Sequence, residues 1–152
     1  MMKRLALLLF PFFFLLGGCS TTPTKSSPIA EQVKQVRQAL DELAESYNKK
    51  EEAGFFSKLD PSFQSLVSLK SRVQSDHRRF AEIKIDFKID RVEVREKSTS
   101  TAVRWGGSWK SAAQSAPVLK KGHAIFVWNA GEKPLLIEIR GDAPFGIDSG
   151  GS

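Results

Sequence analysis

The sequence predicts an α+β domain in which N-terminal helices pack in a curved antiparallel sheet. Three observations predict it. Apolar residues recur at helical spacing between Ile29 and Tyr47. The period then switches to two in "EIKIDFKID", Glu82 to Asp90. Short apolar segments separated by turn residues follow as far as Arg140. Helices first and strands after them is the order of an α+β fold with one core.

The first helix begins at Ser27, which suits an N-cap, followed by Pro28, which suits the first turn. Ile29, Val33, Val36, Leu40, Leu43 and Tyr47 form one stripe, with Glu, Gln, Lys and Arg opposite. The stripe covers fewer than three heptads before Asn48-Lys49-Lys50, so an amphipathic core helix accounts for it better than a coiled coil. A short second helix is expected to carry Phe55, Phe56 and Leu59 and to stop at Asp60-Pro61. A third spans roughly 63–79, with Leu66, Leu69, Val73, His77 and Phe80 inward.

In the first strand Ile83, Ile85, Phe87 and Ile89 alternate with Lys84, Asp86, Lys88 and Asp90, giving a half-buried strand with a charged face. The phase slips at Asp90-Arg91 before Val92 and Val94, as a bulge would require. Further strands are expected near 100–105, 109–112, 122–128 and 135–140. "GGSW", Gly106 to Trp109, reads as a kink between two of them, and "NAGEKP", Asn129 to Pro134, as the last turn. Val103, Trp105, Ile137 and Ile139 join the inward set.

The N-terminus gives the cellular address. Met1-Met2-Lys3-Arg4 is a short cationic segment, and "LALLLFPFFFLL", Leu5 to Leu16, is an apolar run of 12 residues ending in two glycines. That arrangement describes a secretory signal. It falls short of the about 20 apolar residues a spanning helix needs, and Pro11 interrupts it. Leu16-Gly17-Gly18-Cys19 resembles the bacterial lipobox, and Cys19 is the only cysteine. The resemblance implies a diacylglyceryl group on the Cys19 thiol, cleavage before Cys19 and acylation of the new amine. Two or three acyl chains anchor a protein stably where one does not. Ser20, rather than Asp, after the lipidated position implies the outer membrane, facing the periplasm, in a Gram-negative source. In a Gram-positive source it implies the outer face of the plasma membrane.

These assignments divide the chain into a signal over 1–18, a lipidated tether over 19–27, one domain over 28–147 and a disordered tail over 148–152. "STTPTKSSP", Ser20 to Pro28, lacks periodicity and reaches at most about 30 Å. A single thiol leaves no disulfide, so the domain rests on its core.

Losing Lys3 and Arg4 lowers the formal charge from +6 to +4. The basic residues are scattered among acids, and "HRR", His77 to Arg79, is too short for a nucleic-acid footprint. No nucleic-acid partner is expected. Two histidines 46 positions apart, one cysteine and no acidic cluster of ligand spacing argue against a metal. No G-x-S-x-G is present, and "GGSW" lacks the Gly-Lys-Ser/Thr of a phosphate loop. No cofactor is expected.

The domain as a whole resembles the nuclear-transport-factor-2-like family, also called SnoaL-like. The resemblance rests on "ALDELAESYNKKEEAGFFSKLDPSF" (Ala39 to Phe63), "RRFAEIKIDFKIDRVEV" (Arg78 to Val94) and "AIFVWNAGEKPLLIEIRGD" (Ala124 to Asp142). It implies a cone in which the sheet wraps the helices; a cystatin-like arrangement is the nearest alternative. Pro134-Leu135 departs from the pattern, because many members open the last strand with Trp. Enzymes of the family, such as ketosteroid isomerase and scytalone dehydratase, use an Asp or His base with Tyr or Asp donors in the cone mouth. That points to Tyr47, Asp76 and His77 as catalytic candidates. Tyr47 and His77 also have purely structural readings, Tyr47 in core packing and His77 as a satisfied core or pocket-wall histidine. Adjacent helix residues point about 100° apart, so Asp76 and His77 are no automatic dyad.

Aromatics are the other candidates. Phe56, Phe80, Trp105, Trp109, Phe126 and Trp128 are expected to line a pocket or a partner surface. Phe126 and Trp128 share one strand face while Ile125 and Val127 take the other, which needs cover. Family members often dimerise through that outer sheet face. The expectation is a non-catalytic module binding a small apolar ligand or an envelope protein, with membrane attachment through Cys19. The alternative is a small isomerase or dehydratase. Arg140-Gly141-Asp142 spells an adhesion tripeptide, but at the end of a strand it reads as a structural turn.

Overall fold

A computed structural model describes residues 27–113 and 116–147. Cys19, most of the tether and the 148–152 tail lie outside the described residues. Helix α1 covers Pro28–Asn48. Ser27 is extended and its Oγ accepts from the Ala30 N–H at 3.2 Å, satisfying one of the helix's open donors. Val36, Leu40, Leu43 and Tyr47 are completely buried. Ile29, at the head of the stripe, is 62 % exposed. It lies in the first turn, whose Pro28 and Glu31 border an open groove with Glu96 and Gly131.

Helix α2 is one short turn, Glu52–Phe56, and α3 is Leu66–Arg79. Two expected boundaries shift. Leu59 leaves α2 and forms a lone parallel bridge to Leu136. Phe63 is buried but precedes α3, because the Asp60 carboxylate accepts from the Ser62 N–H at 2.8 Å and holds a turn there.

The sheet is antiparallel in the order β1 (Glu82–Val94), β2 (Ser98–Lys110), β3 (Val118–Asn129), β4 (Leu136–Gly141). The β1–β2 register shifts between Ile89 and Arg91, so Asp90 is the extra residue. Val92 and Val94 thereby pair with Thr101 and Thr99 on the inner face, and the phase slip is the bulge it resembled. Asp90 accepts a two-pronged contact from Arg104, at 2.9 Å from Nε and 2.7 Å from Nη2.

Gly106 and Gly107 do not kink the strand. Both pair in register with Asp86 and Ile85 on one side and with Lys121 and Lys120 on the other, so the two expected segments are one strand. The glycine serves a neighbour instead: a Cβ on Gly107 would lie 2.1 Å from the Trp109 ring. Gly122 likewise clears the Trp105 ring, which its Cβ would meet at 2.8 Å.

A second bulge, between Val127 and Trp128, corrects the last strand. Leu136 pairs with Trp128 and Ile139 with Phe126, so Leu136 is the fully buried residue. Ile137, expected inward, is the residue the bulge leaves unpaired, and it stands outside the core cluster. Val127 is buried on the other sheet face, and Ile125 is 40 % exposed there among charged neighbours such as Arg140, which pairs with Glu138 at 2.6 Å.

Each sheet edge is capped at one position. On β1, the Asn48 carboxamide accepts from the Ile85 N–H at 2.8 Å and donates to the Ile85 carbonyl at 3.0 Å. On β4, the Leu136 N–H donates to the Lys58 carbonyl at 2.8 Å, and the Leu136 carbonyl accepts from Asp60 at 2.9 Å.

Candidate functional site

The helix stripe that buries Leu40 and Leu43 delivers Tyr47, one turn further on, to the middle of the cone. Asp76, in the last turn of α3, reaches it from the other side, and Trp109 closes in from the end of β2. Tyr47 Oη donates to Asp76 Oδ2 at 2.5 Å and accepts from Trp109 Nε1 at 3.1 Å. Two backbone donors beyond β4 reach the same carboxylate oxygen: Gly146 N at 2.7 Å and Ile147 N at 3.2 Å. Asp76 and Tyr47 are both completely buried.

Burial, and then the Asp76 charge beside it, push the Tyr47 phenol well above its ordinary range. Tyr47 is therefore a neutral donor to a carboxylate that three N–H and O–H groups already hold. A general base needs contact with the proton it removes. Here Asp76 has no exposed surface, and the ring of Phe145, 1 % exposed, packs at 4.9 Å from the Tyr47 ring and 4.9 Å from the Phe55 ring.

His77 lies beside this network rather than in it. It is 9 % exposed, its ring centroid is 5.4 Å from that of Tyr47, and Nδ1 is 3.8 Å from Glu52 Oε1. Neither ring nitrogen reaches hydrogen-bond geometry. Burial pulls its pKa below the ordinary 6.5, and the Glu52 charge partly offsets this. The folded state therefore binds its proton less readily than the unfolded one, so this contribution to stability is complete above the unfolded value and is lost as pH falls below it. The urea midpoint is expected to drop between about pH 7.5 and about pH 5.5, and His77→Leu to flatten that part of the profile. An unchanged slope in His77→Leu would assign the loss to other groups.

The aromatic candidates fill the cone. Trp109, Phe126 and Trp128 have no exposed surface, and the last two stack at 6.1 Å and 16°. Trp105 is 6 % exposed and donates from Nε1 to the Asp142 carbonyl at 2.8 Å. Phe80 is buried beneath the Arg79 guanidinium, and Phe56 is half-buried with Lys70 over its ring. A surface groove of about 490 Å³ lies elsewhere, lined by Gln38, Glu42, Lys58, Glu132 and Pro134. Arg140-Gly141-Asp142 is a structural turn: Gly141 has φ +83°, and Asp142 accepts from the His123 N–H at 3.1 Å.

Phe145 and Gly146 are absent from the sequence-derived set. The one signal for them is a short apolar stretch, Pro144-Phe145-Gly146-Ile147, beyond the last expected strand.

No family model and no curated protein matches the chain. Solved structures do. A conserved protein from Planctomyces limnophilus superposes with a TM-score of 0.67 at 10 % identity, over 74 % of this chain and 99 % of that one. A nuclear transport factor 2-like superfamily protein from Salmonella enterica serovar Typhimurium gives 0.62 at 11 %, over 82 % and 99 %. A candidate scytalone dehydratase from Novosphingobium aromaticivorans gives 0.64 at 7 %, over 76 % and 87 %. Identities this low speak for architecture alone, and the described part of this chain has the nuclear-transport-factor-2-like fold.

Proposed function

We infer that this chain is an exported lipoprotein, anchored through Cys19, whose cone-shaped domain is a non-catalytic binding or interaction module of the cell envelope. The observation that carries the non-catalytic part is the state of Asp76. Its Oδ2 already accepts from Tyr47, Gly146 and Ile147, the Phe145 ring packs against Tyr47, and Asp76 has no exposed surface for a substrate to reach. The anchored part rests on Leu16-Gly17-Gly18-Cys19 behind the apolar run. Ser20 favours the outer membrane, facing the periplasm, of a Gram-negative cell. Its ligand is a small apolar compound or an envelope protein, and the outer sheet face offers a route to a homodimer.

The test of the anchor is metabolic labelling with a fatty acid. Wild type is expected to take up label and fractionate with membranes, and Cys19→Ser to do neither. Equal labelling of the variant would overturn the anchor. A second reading, a small dehydratase or isomerase, has one observation in its favour. Tyr47 from α1 does meet the neighbouring Asp76 and His77 from α3, and a protein of the same fold is a candidate scytalone dehydratase. That reading requires Phe145 to leave the cone.

A further inference from the structure

The sheet is not covered evenly along its β4 side. β3 begins at Val118, whereas β4 ends at Gly141, opposite Ala124. His123 is the last β3 residue served on that side. Its carbonyl accepts from the Asp142 N–H at 2.9 Å, and its own N–H donates to the Asp142 carboxylate at 3.1 Å. Backbone groups face alternate sides along an antiparallel strand. Those of Leu119 and Lys121 therefore point the same way as those of His123, and no described residue pairs with them. Ile85 and Leu136 have caps; these two positions have none. Val118 to Lys121 are exposed throughout, Leu119 at 72 %.

We propose that this open half of β3 takes an extended acidic segment of an envelope protein as an added antiparallel strand. Leu119 and Lys121 each offer one N–H and one C=O, which supply the pairing, and the side chains set the sequence. Lys121 and Leu119 stand on the outer sheet face and Lys120 on the inner one. An arriving strand is therefore matched by an acid opposite Lys121, a second acid opposite Lys120 and an apolar residue opposite Leu119. Lys120 Nζ gives one hydrogen to the Ile147 carbonyl and keeps two. Of the acids nearby, Asp142 is engaged by the His123 N–H, and Asp86 lies two strands away across Gly106. A second copy of this chain fits badly, because its own lysine pair would meet this one. A bilayer also fits badly. α1 starts beside Glu96 and Gly131, at the opposite end of the sheet, and the 13 residues of β2 separate the two ends by about 40 Å. The open edge is thus the part of the sheet farthest from the tether. The proposal rests on the interaction-module reading and names the class of partner.

The experiment is titration of the full chain in detergent, read by fluorescence anisotropy, with a labelled acetyl-EEVTV-amide peptide. Two controls accompany it: EEPTV, of equal charge but without the N–H opposite Leu119, and KKVTV, of opposite charge. Wild type is expected to bind EEVTV at least about tenfold tighter than either control. Bound EEVTV is expected to slow amide exchange at Leu119 and Lys121 and to leave Lys120, whose N–H faces β2, unchanged. Leu119→Pro removes one outward N–H and no bond to β2, a place where strands tolerate proline. It is expected to keep the thermal midpoint of wild type and to bind EEVTV at least about fivefold more weakly. Lys121→Glu is expected to cut the preference for EEVTV over KKVTV at least about tenfold. Equal binding of EEVTV and EEPTV overturns strand addition, and equal binding of EEVTV and KKVTV overturns the acidic partner. Self-association that Leu119→Pro abolishes would give the edge to a second copy and overturn the proposal. Should Leu119→Pro not fold, an unchanged preference in Lys121→Glu overturns it. Equal fatty-acid labelling of Cys19→Ser would remove the anchor and leave this titration standing. A chain that ignores EEVTV yet holds an envelope protein would overturn the added strand and leave the module.

Discussion

Asp76→Ala is expected to destabilise the domain by about 3–5 kcal/mol, the range for removing one partner of a buried charged network. The side chain has no exposed surface, and its Oδ2 is the acceptor for Tyr47 Oη, Gly146 N and Ile147 N. Removing it leaves three donors in the core without that acceptor, each costing about 1–3 kcal/mol if water does not enter. It also releases the end of the chain. Asp76→Asn keeps an acceptor oxygen of the same reach and is expected to lose about half as much, since hydrogen bonds to a neutral acceptor are roughly half as strong. Urea unfolding of both variants measures this. A loss under about 1 kcal/mol for Asp76→Ala would mean that the network does not hold the fold together.

Trp109 and Gly107 form the second test. Trp109→Ala removes one of the two fully buried tryptophans and a donor to Tyr47, and is expected to cost about 3–5 kcal/mol. Gly107→Ala puts a methyl group 2.1 Å from the ring, so the fully buried indole has to shift. Overpacking of this kind costs about 1–3 kcal/mol. Once Trp109 is Ala, the same Gly107→Ala change is expected to be neutral or stabilising, because Gly weakens a strand by about 0.5–1 kcal/mol relative to Ala. The cycle should therefore show a coupling of at least about 1 kcal/mol. Simple additivity would show that the glycine is there for the backbone and not for the ring.

These two cases also mark what the sequence discloses and what it hides. Local periodicity was readable. The four-three spacing of α1, the alternation of Ile83 to Ile89 and the slip at Asp90 each follow from side-chain direction along one element. Position relative to distant elements was not. Gly106-Gly107 reads as a break because glycine weakens strands, whereas here it makes room for an indole two residues along. Ile137 and Leu136 exchange places because a bulge depends on pairing with β3, which no local pattern records. Asp76 draws attention through its neighbour His77, yet its working partners are 29, 70 and 71 positions away. Phe145, past the last periodic element, gives no signal of its own beyond being apolar.

The treatment of the two sheet edges has a consequence for the crowded state of this protein. A 13-residue outer strand such as β1 offers a row of open N–H and C=O groups on which foreign strands can template. At Ile85 that row is interrupted, since Asn48 supplies one acceptor and one donor in the manner of a missing peptide group. Along the same strand Lys84, Asp86 and Lys88 would set unmatched charges against any arriving copy. Leu136, on the opposite edge, is sealed by the Lys58–Asp60 segment. Each edge is thus blocked at one position, Ile85 on β1 and Leu136 on β4, which works against lengthening of the sheet by a second copy. Asn48→Ala reopens β1 at Ile85 and is expected to raise the tendency of concentrated protein to form fibrils, read by thioflavin fluorescence; an unchanged signal would mean that this cap does not protect the edge.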